Sequence, residues 1–173
     1  MNWFFQSLFL ALLICEIITV IYIRRHSFRE TDDFHMISKM RHCLTKTGLI
    51  YVPFTCNGKK LNLMVDTGST ISYIDAKVAK EFGCELKDCG QSDIVGMGGT
   101  TQISKYCTLM LETPSTVTEI ELPVNDFSGP FSAIEEESGV RIHGILGNNF
   151  LKASKYVIDY DKMIIFKPKQ KDK

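Results

Sequence analysis

The sequence is short of the features that usually reveal a chemistry at once. It has no excess charge of one sign, since 20 Lys and Arg balance 20 Asp and Glu. Charge therefore gives no sign of a nucleic-acid partner. Six cysteines, at 15, 43, 56, 84, 89 and 107, include no Cys-x-x-Cys pair, and an even count alone makes no disulfide framework in a chain of this length. His42, Cys43, Cys84 and Cys89 match no zinc spacing, and there is no His-Glu-x-x-His run for a metal-dependent hydrolase. The stretch Gly96-Met97-Gly98-Gly99-Thr100-Thr101 lacks both the Lys of a phosphate-binding loop and the last Gly of a dinucleotide loop. The residues thus call for neither a metal nor a cofactor. With 45% hydrophobic and 23% charged residues, the composition is that of a folded protein and excludes long disorder.

What the chain does have is one long apolar run. Residues 3–23 hold 17 apolar residues out of 21, interrupted only by Gln6, Ser7, Glu16 and Thr19. As a helix this run spans about 31 Å, the thickness of a bilayer's hydrocarbon core. Trp3 and Tyr22 mark its ends, and Arg24 and Arg25 follow at once. The run is expected to be a transmembrane anchor over residues 1–24. The rival is a cleaved secretory signal, but the run has no basic residue before it and no small-x-small site after it. Arg24, Arg25, Arg29, Lys39 and Arg41 all follow the span, which places the rest of the chain on the cytoplasmic side as a single-pass membrane protein.

Residues 25–47 are expected to be a juxtamembrane linker with one helix, since Phe34, Ile37, Met40 and Leu44 recur at roughly helical spacing. Residues 169–173 form a basic tail. Between them, 48–168 reads as one domain of short strands. Leu49–Cys56 and Lys60–Val65 flank Asn57-Gly58, a dipeptide suited to a tight hairpin turn. A short helix fits Asp75–Phe82, with Gly83 at its stop. Gln102–Glu112 and Val117–Asn125 are two further strands, and Tyr156–Tyr160 and Met163–Phe166 a last hairpin around Asp161-Lys162. The pattern favours a mainly β, closed or folded antiparallel architecture with short helices.

Asp66-Thr67-Gly68-Ser69 directly follows the apolar strand Leu61–Val65, so a carboxylate stands where a buried strand opens into a loop. The glycine lets backbone amides turn toward that carboxylate, and the two hydroxyls lie beside it. Taken alone, the tetrapeptide is equally an Asp-Gly turn satisfied by its own amides. Asp159 and Asp161 are the tempting second acids, but they read as a solvated strand position and a hairpin-turn residue.

Three motifs in order resemble the retropepsin-like aspartic peptidases, the family of retroviral and related single-domain proteases. Asp66-Thr67-Gly68-Ser69 resembles the family's catalytic loop, Val95-Gly96-Met97-Gly98-Gly99 its glycine-rich flap, and Gly144-Ile145-Leu146-Gly147-Asn148-Asn149 the apolar-apolar-Gly segment before a short helix. The resemblance covers roughly residues 49–167. It implies a single-lobe, pepsin-like half domain with Asp66 as catalytic residue and Thr67, Gly68 and Ser69 as its supporting loop. Val95–Gly99 becomes the substrate-gripping flap, and Ile145, Leu146, Gly147 and Asn148 the loop support. Because the chain holds one such loop, the resemblance implies a homodimer with one Asp66 from each copy, acting on protein or peptide substrates. The alternative is a non-enzymatic module that binds extended peptides on the same fold.

Overall fold

The computed structural model describes residues 12–19, 34–96 and 99–169. It divides into two compact units, Met1–Asp32 and Asp33–Lys173. In the first, residues 12–19 form helix α1, with Leu12, Leu13, Ile14, Ile17 and Ile18 exposed. Most of the expected membrane span lies outside the described residues. Among those described, no helix is long and apolar enough to cross a membrane, so the anchor finds no support there.

The second unit runs β1 (Phe34–Lys39), α2 (Met40–Thr47), β2 (Tyr51–Cys56), β3 (Lys59–Val65), β4 (Tyr73–Asp75), α3 (Ala76–Glu81) and β5 (Leu86–Gly96). It continues with β6 (Gly99–Glu112), β7 (Val117–Asn125), α4 (Ser128–Ser138), β8 (Gly144–Leu146), α5 (Asn148–Ser154), β9 (Val157–Asp159) and β10 (Ile164–Pro168). Local chemistry sets several of these boundaries. Asn57 and Gly58 both take positive φ, 51° and 71°, as a two-residue hairpin turn requires. Asp75 caps α3 by accepting from the amides of Lys77 at 3.0 Å and Val78 at 3.3 Å, and Gly83 ends it at φ 64°.

Seven strands form one sheet in the order β2-β3-β8-β4-β7-β6-β5. A further pairing of Thr55 with Glu112 brings β2 back to β6 and closes the first six strands into a ring. The expected closed, mainly β domain is thus present, but it is not purely antiparallel: β3 runs parallel to β8 and β4 parallel to β7. Parallel neighbours need long crossovers, and the 78 residues between Val65 and Gly144 supply one that no local pattern discloses. A second sheet has the order β1-β10-β9.

Residues 34–47 correct the linker assignment. Phe34–Lys39 is a strand paired with β10, and only Met40–Thr47 is helical. Ile37, Met40 and Cys43 are buried, so the apolar spacing served two elements in turn rather than one helix. The main core gathers Val52, Leu61, Leu63, Ile74, Leu111, Leu122 and Leu146 inside the closed sheet. A smaller cluster of Cys43, Tyr51, Phe131 and Ile142 packs α4 and α2 against its outside. Helix α4 has no counterpart in the sequence reading, although Asp126 accepts from the Ser128 amide at 2.9 Å and Gly139 closes the helix at φ 69°.

His143 lies buried just before β8, and its Nδ1 accepts the Asn62 amide at 2.9 Å. Asn62 donates its Nδ2 to the Arg141 carbonyl at 2.8 Å, while its Oδ1 is buried without a hydrogen-bond partner among the described residues. Burial, reinforced by Arg141, pushes the imidazole from 6.5 down to about 4. The unfolded chain therefore takes up this proton more readily than the folded one. Stability should be fully present above about pH 6.5 and fall as pH drops toward 4, by about 3 kcal/mol in all. Urea midpoints between about pH 7 and pH 4.5 check this, with His143→Gln expected to flatten the profile; identical slopes in the two proteins would contradict it.

Candidate active site

The parallel pairing of β3 and β8 places Asp66. Leu63, Met64 and Val65 lie opposite Gly144, Ile145 and Leu146, and the Asp66 amide extends this ladder by donating to the Leu146 carbonyl at 3.0 Å. The chain then leaves the sheet in a tight turn. Gly68 donates its amide to Asp66 Oδ1 at 2.9 Å, Ser69 donates its amide to the Asp66 carbonyl at 3.2 Å, and Ser69 Oγ donates to the Ile71 carbonyl at 2.7 Å. A Cβ on Gly68 would stand 3.2 Å from Asp66 Oδ1, so a larger residue crowds the carboxylate. Asp66 is half-buried, while Thr67 and Gly68 are exposed. Among the described residues, Oδ2 has no hydrogen-bond partner.

A second layer of bonds fastens this loop to the start of α5. The Asn148 amide donates to the Ser69 carbonyl at 2.9 Å, and its Nδ2 donates to the Thr67 carbonyl at 2.7 Å. The Asn149 amide donates to the Thr70 carbonyl at 3.2 Å. Ser72 Oγ accepts from the Gly147 amide at 2.9 Å and donates to Asn149 Oδ1 at 2.8 Å, from a fully buried position. Contact this close leaves no room for side chains on the glycines: a Cβ at Gly147 would overlap the Ile71 carbonyl, and one at Gly144 the Tyr73 carbonyl. Phe150 and Leu151 bury the inner face of α5, with Phe150 edge-on to Phe54 and Tyr156. Burial of each contributes about 1.5–3 kcal/mol, which seats the helix that carries Asn148 and Asn149.

The structure therefore brings together Asp66, Thr67, Gly68, Ser69, Gly147 and Asn148 from the sequence reading. Leu146 belongs to the main core, and half-buried Ile145 packs on the smaller cluster. Ser72 and Asn149 are bonding partners that the reading gave no role. Ser72 left one signal, a hydroxyl within the apolar run Ile71-Ser72-Tyr73-Ile74. Strands β5 and β6 pair antiparallel as far as Gly96 opposite Gly99; Met97 and Gly98 lie outside the described residues. Asp159 does not approach as a second acid. It accepts the Lys162 amide and ammonium, each at 2.8 Å, in the β9–β10 turn, which holds its carboxyl below the usual range. Among the described residues no His, Cys, Asp and Glu cluster could hold a metal ion.

An open groove of about 440 Å³ runs along Thr67, Asn148, Leu151, Lys152, Tyr156 and Ile158. Burial pushes the Tyr156 hydroxyl up to about 12, so it stays protonated at neutral pH. The groove touches the acid loop only through Thr67, and Asp66 is not among its lining residues.

A strand-end carboxylate thus stands in an Asp-Thr-Gly turn, braced by a glycine-bearing strand and a short helix. The aspartyl protease family matches residues 52–150, and the chain belongs to that family, as its motifs led one to expect. Three solved structures are similar. They are EIAV protease in complex with an inhibitor (16% identity, 61% of this chain and 86% of that one, TM-score 0.46), the retroviral protease-like domain of Ddi1 from Leishmania major (17%, 69% and 93%, 0.43) and a retropepsin-like aspartic protease from Rickettsia conorii (19%, 78% and 89%, 0.49). No curated protein sequence matches.

Ser72→Ala removes the acceptor of a buried amide and should cost about 1–3 kcal/mol. Gly147→Ala should cost more, because the obstacle is backbone rather than a movable side chain. Chemical denaturation measures both; a neutral Gly147→Ala would show that the loop and α5 are not held as described.

Proposed function

We propose that this protein is a membrane-anchored aspartic endopeptidase, whose peptide-bond hydrolysis is carried out by two Asp66 carboxylates, one from each copy of a homodimer. The observation that carries this reading is the Asp66 carboxylate itself, fixed through Oδ1 by the Gly68 amide and with Oδ2 left for other work. One such carboxylate is half of an acid–base pair. The chain contains a single Asp-Thr-Gly loop, and the groove beside it stops short of the acid, which favours a second copy as the source of the other half.

Two carboxylates face to face cannot both ionise cheaply, so the pair shares one proton and titrates as a unit. The charged member takes a proton from a water held between them. The neutral member donates a hydrogen bond to the scissile carbonyl, and the water oxygen adds to give a tetrahedral intermediate with no covalent adduct to the enzyme. Thr67 braces the two loops across the dimer, and Gly68 and Ser69 hold the carboxylates coplanar. The hairpin tip at Val95–Gly99 bends over an extended peptide and grips it as an added strand.

The apolar run at 3–23 anchors both copies in one membrane, with the domain on the cytoplasmic side where the basic residues cluster. Shared anchoring raises their effective concentration, so a dimer weak in solution is populated at the surface.

Asp66→Asn is nearly isosteric and should leave the fold intact while lowering cleavage of a peptide library by about 10²–10⁴-fold or more. Retained peptidase activity in bilayers would refute the reading. If the wild-type chain binds extended peptides but holds a hydroxyl-containing transition-state mimic no more tightly than the parent peptide, the non-enzymatic module takes its place.

A further inference from the structure

A second groove, of about 340 Å³, opens on the face made by β1, the start of α2, β2, β3 and the β6–β7 turn. It shares no residue with the groove beside Asp66. Ile37, Cys43 and Tyr51 are buried along its floor. The Tyr51 carbonyl there is already taken, accepting from Cys43 Sγ at 3.4 Å and Ser38 Oγ at 3.5 Å. Pro53 and Pro114, both exposed, add apolar walls that carry no amide N–H. The rim differs: exposed Lys39, His42 and Lys60 line the groove, and no Asp or Glu does. Among the described residues neither lysine has a carboxylate within ion-pair distance. The same bias runs through this part of the chain, since residues 34–65 include Lys39, Arg41, Lys46, Lys59 and Lys60 but no Asp or Glu. We infer that this groove docks the domain on an anionic bilayer, the phosphate of an acidic phospholipid meeting Lys39, His42 and Lys60 and its glyceryl and upper acyl carbons lying on the apolar floor.

Charge complementarity selects the headgroup. Two ammonium groups and an imidazole N–H around one groove are donors without an acceptor, and a phosphate presents several acceptor oxygens at once. The floor selects against a bare ion, which has no apolar surface to lay on Ile37, Pro53 and Pro114. Proximity selects the bilayer over a soluble partner. Only residues 24–33 separate the apolar run from β1, at most about 35 Å of extended chain, and the groove's lining begins at Met36. This last argument rests on the membrane anchor proposed above; the charge and the floor do not. Acidic lipids attract a basic surface only within about a Debye length, so docking follows the lipid composition of the leaflet. It fixes which face the domain turns to the membrane, with β1 and α2 toward the lipid.

The test uses the full-length chain in nanodiscs of phosphatidylcholine alone or with phosphatidylglycerol added. Acidic lipid should slow acylation of Lys39 and Lys60 severalfold, with exposed Lys87 and Lys105 on β5 and β6 unchanged, and should slow amide exchange over Met40–Thr47. Because Lys39 and Lys60 are exposed, Lys39→Gln/Lys60→Gln leaves the fold intact and should abolish that slowing of exchange. No difference between the two discs would overturn the inference, as would equal slowing at all four lysines, which marks attraction without a site. The same protection from inorganic phosphate or from an acidic peptide in neutral discs would also overturn it, giving the groove to a free anion or to a protein. A chain that does not stay with neutral discs refutes the anchor alone. The same labelling on phosphatidylglycerol vesicles then reads the groove, with protection at Lys39 and Lys60 supporting the inference and full labelling overturning it.

Discussion

The site rests on one parallel contact, the run of β3 beside β8. It aligns Val65 with Leu146 and passes the ladder on to the Asp66 amide, so the carboxylate leaves the sheet at a defined height and direction. Everything beyond depends on it. The turn at Gly68 orients the acid, the start of α5 reaches the loop carbonyls, and Ser72 spans from one to the other. A shift of β8 by one residue would put Ile145 on the opposite face and take Gly147 away from Ile71. The register is guarded by close packing. Gly144 and Gly147 sit where any Cβ meets a carbonyl, so the two segments fit in one arrangement only.

This explains why so small a site commits so much of the fold. The Asp66 carboxylate is held in place without being fully satisfied by its own loop. Here one oxygen takes a backbone amide, and the surrounding bonds go to the loop's carbonyls rather than to the acid. The rigidity comes from outside, through α5 on its bed of Phe150 and Leu151 and through the closed sheet beneath. Among the described residues, Asp66 Oδ2 has no hydrogen-bond partner.

Elements whose cause is local were legible. The Asn57-Gly58 hairpin, the Asp75-capped helix and the Asp66 turn each depend on a few adjacent residues, and each stands where the sequence placed it. Elements whose cause is distant were not. The helical spacing of Phe34, Ile37, Met40 and Leu44 concealed a strand, because β1 is decided by its partner β10 more than 120 positions on. Helix α4 was missed because its weakly amphipathic sequence is held chiefly by Phe131 packing on Tyr51 and Ile142 in the smaller cluster. Ser72 and Asn149 look unremarkable until the fold sets them 2.8 Å apart.

The sequence alone pointed to the family, through Asp-Thr-Gly after an apolar strand and Ile-Leu-Gly before a short helix, motifs written in adjacent residues. It also carries a single Asp-Thr-Gly loop. Only the tertiary structure decided what braces the Asp66 loop and that the sheet mixes parallel with antiparallel strands. These are contacts between segments far apart in the chain, set by register and close packing, and neither leaves a periodic trace in the residues that make them.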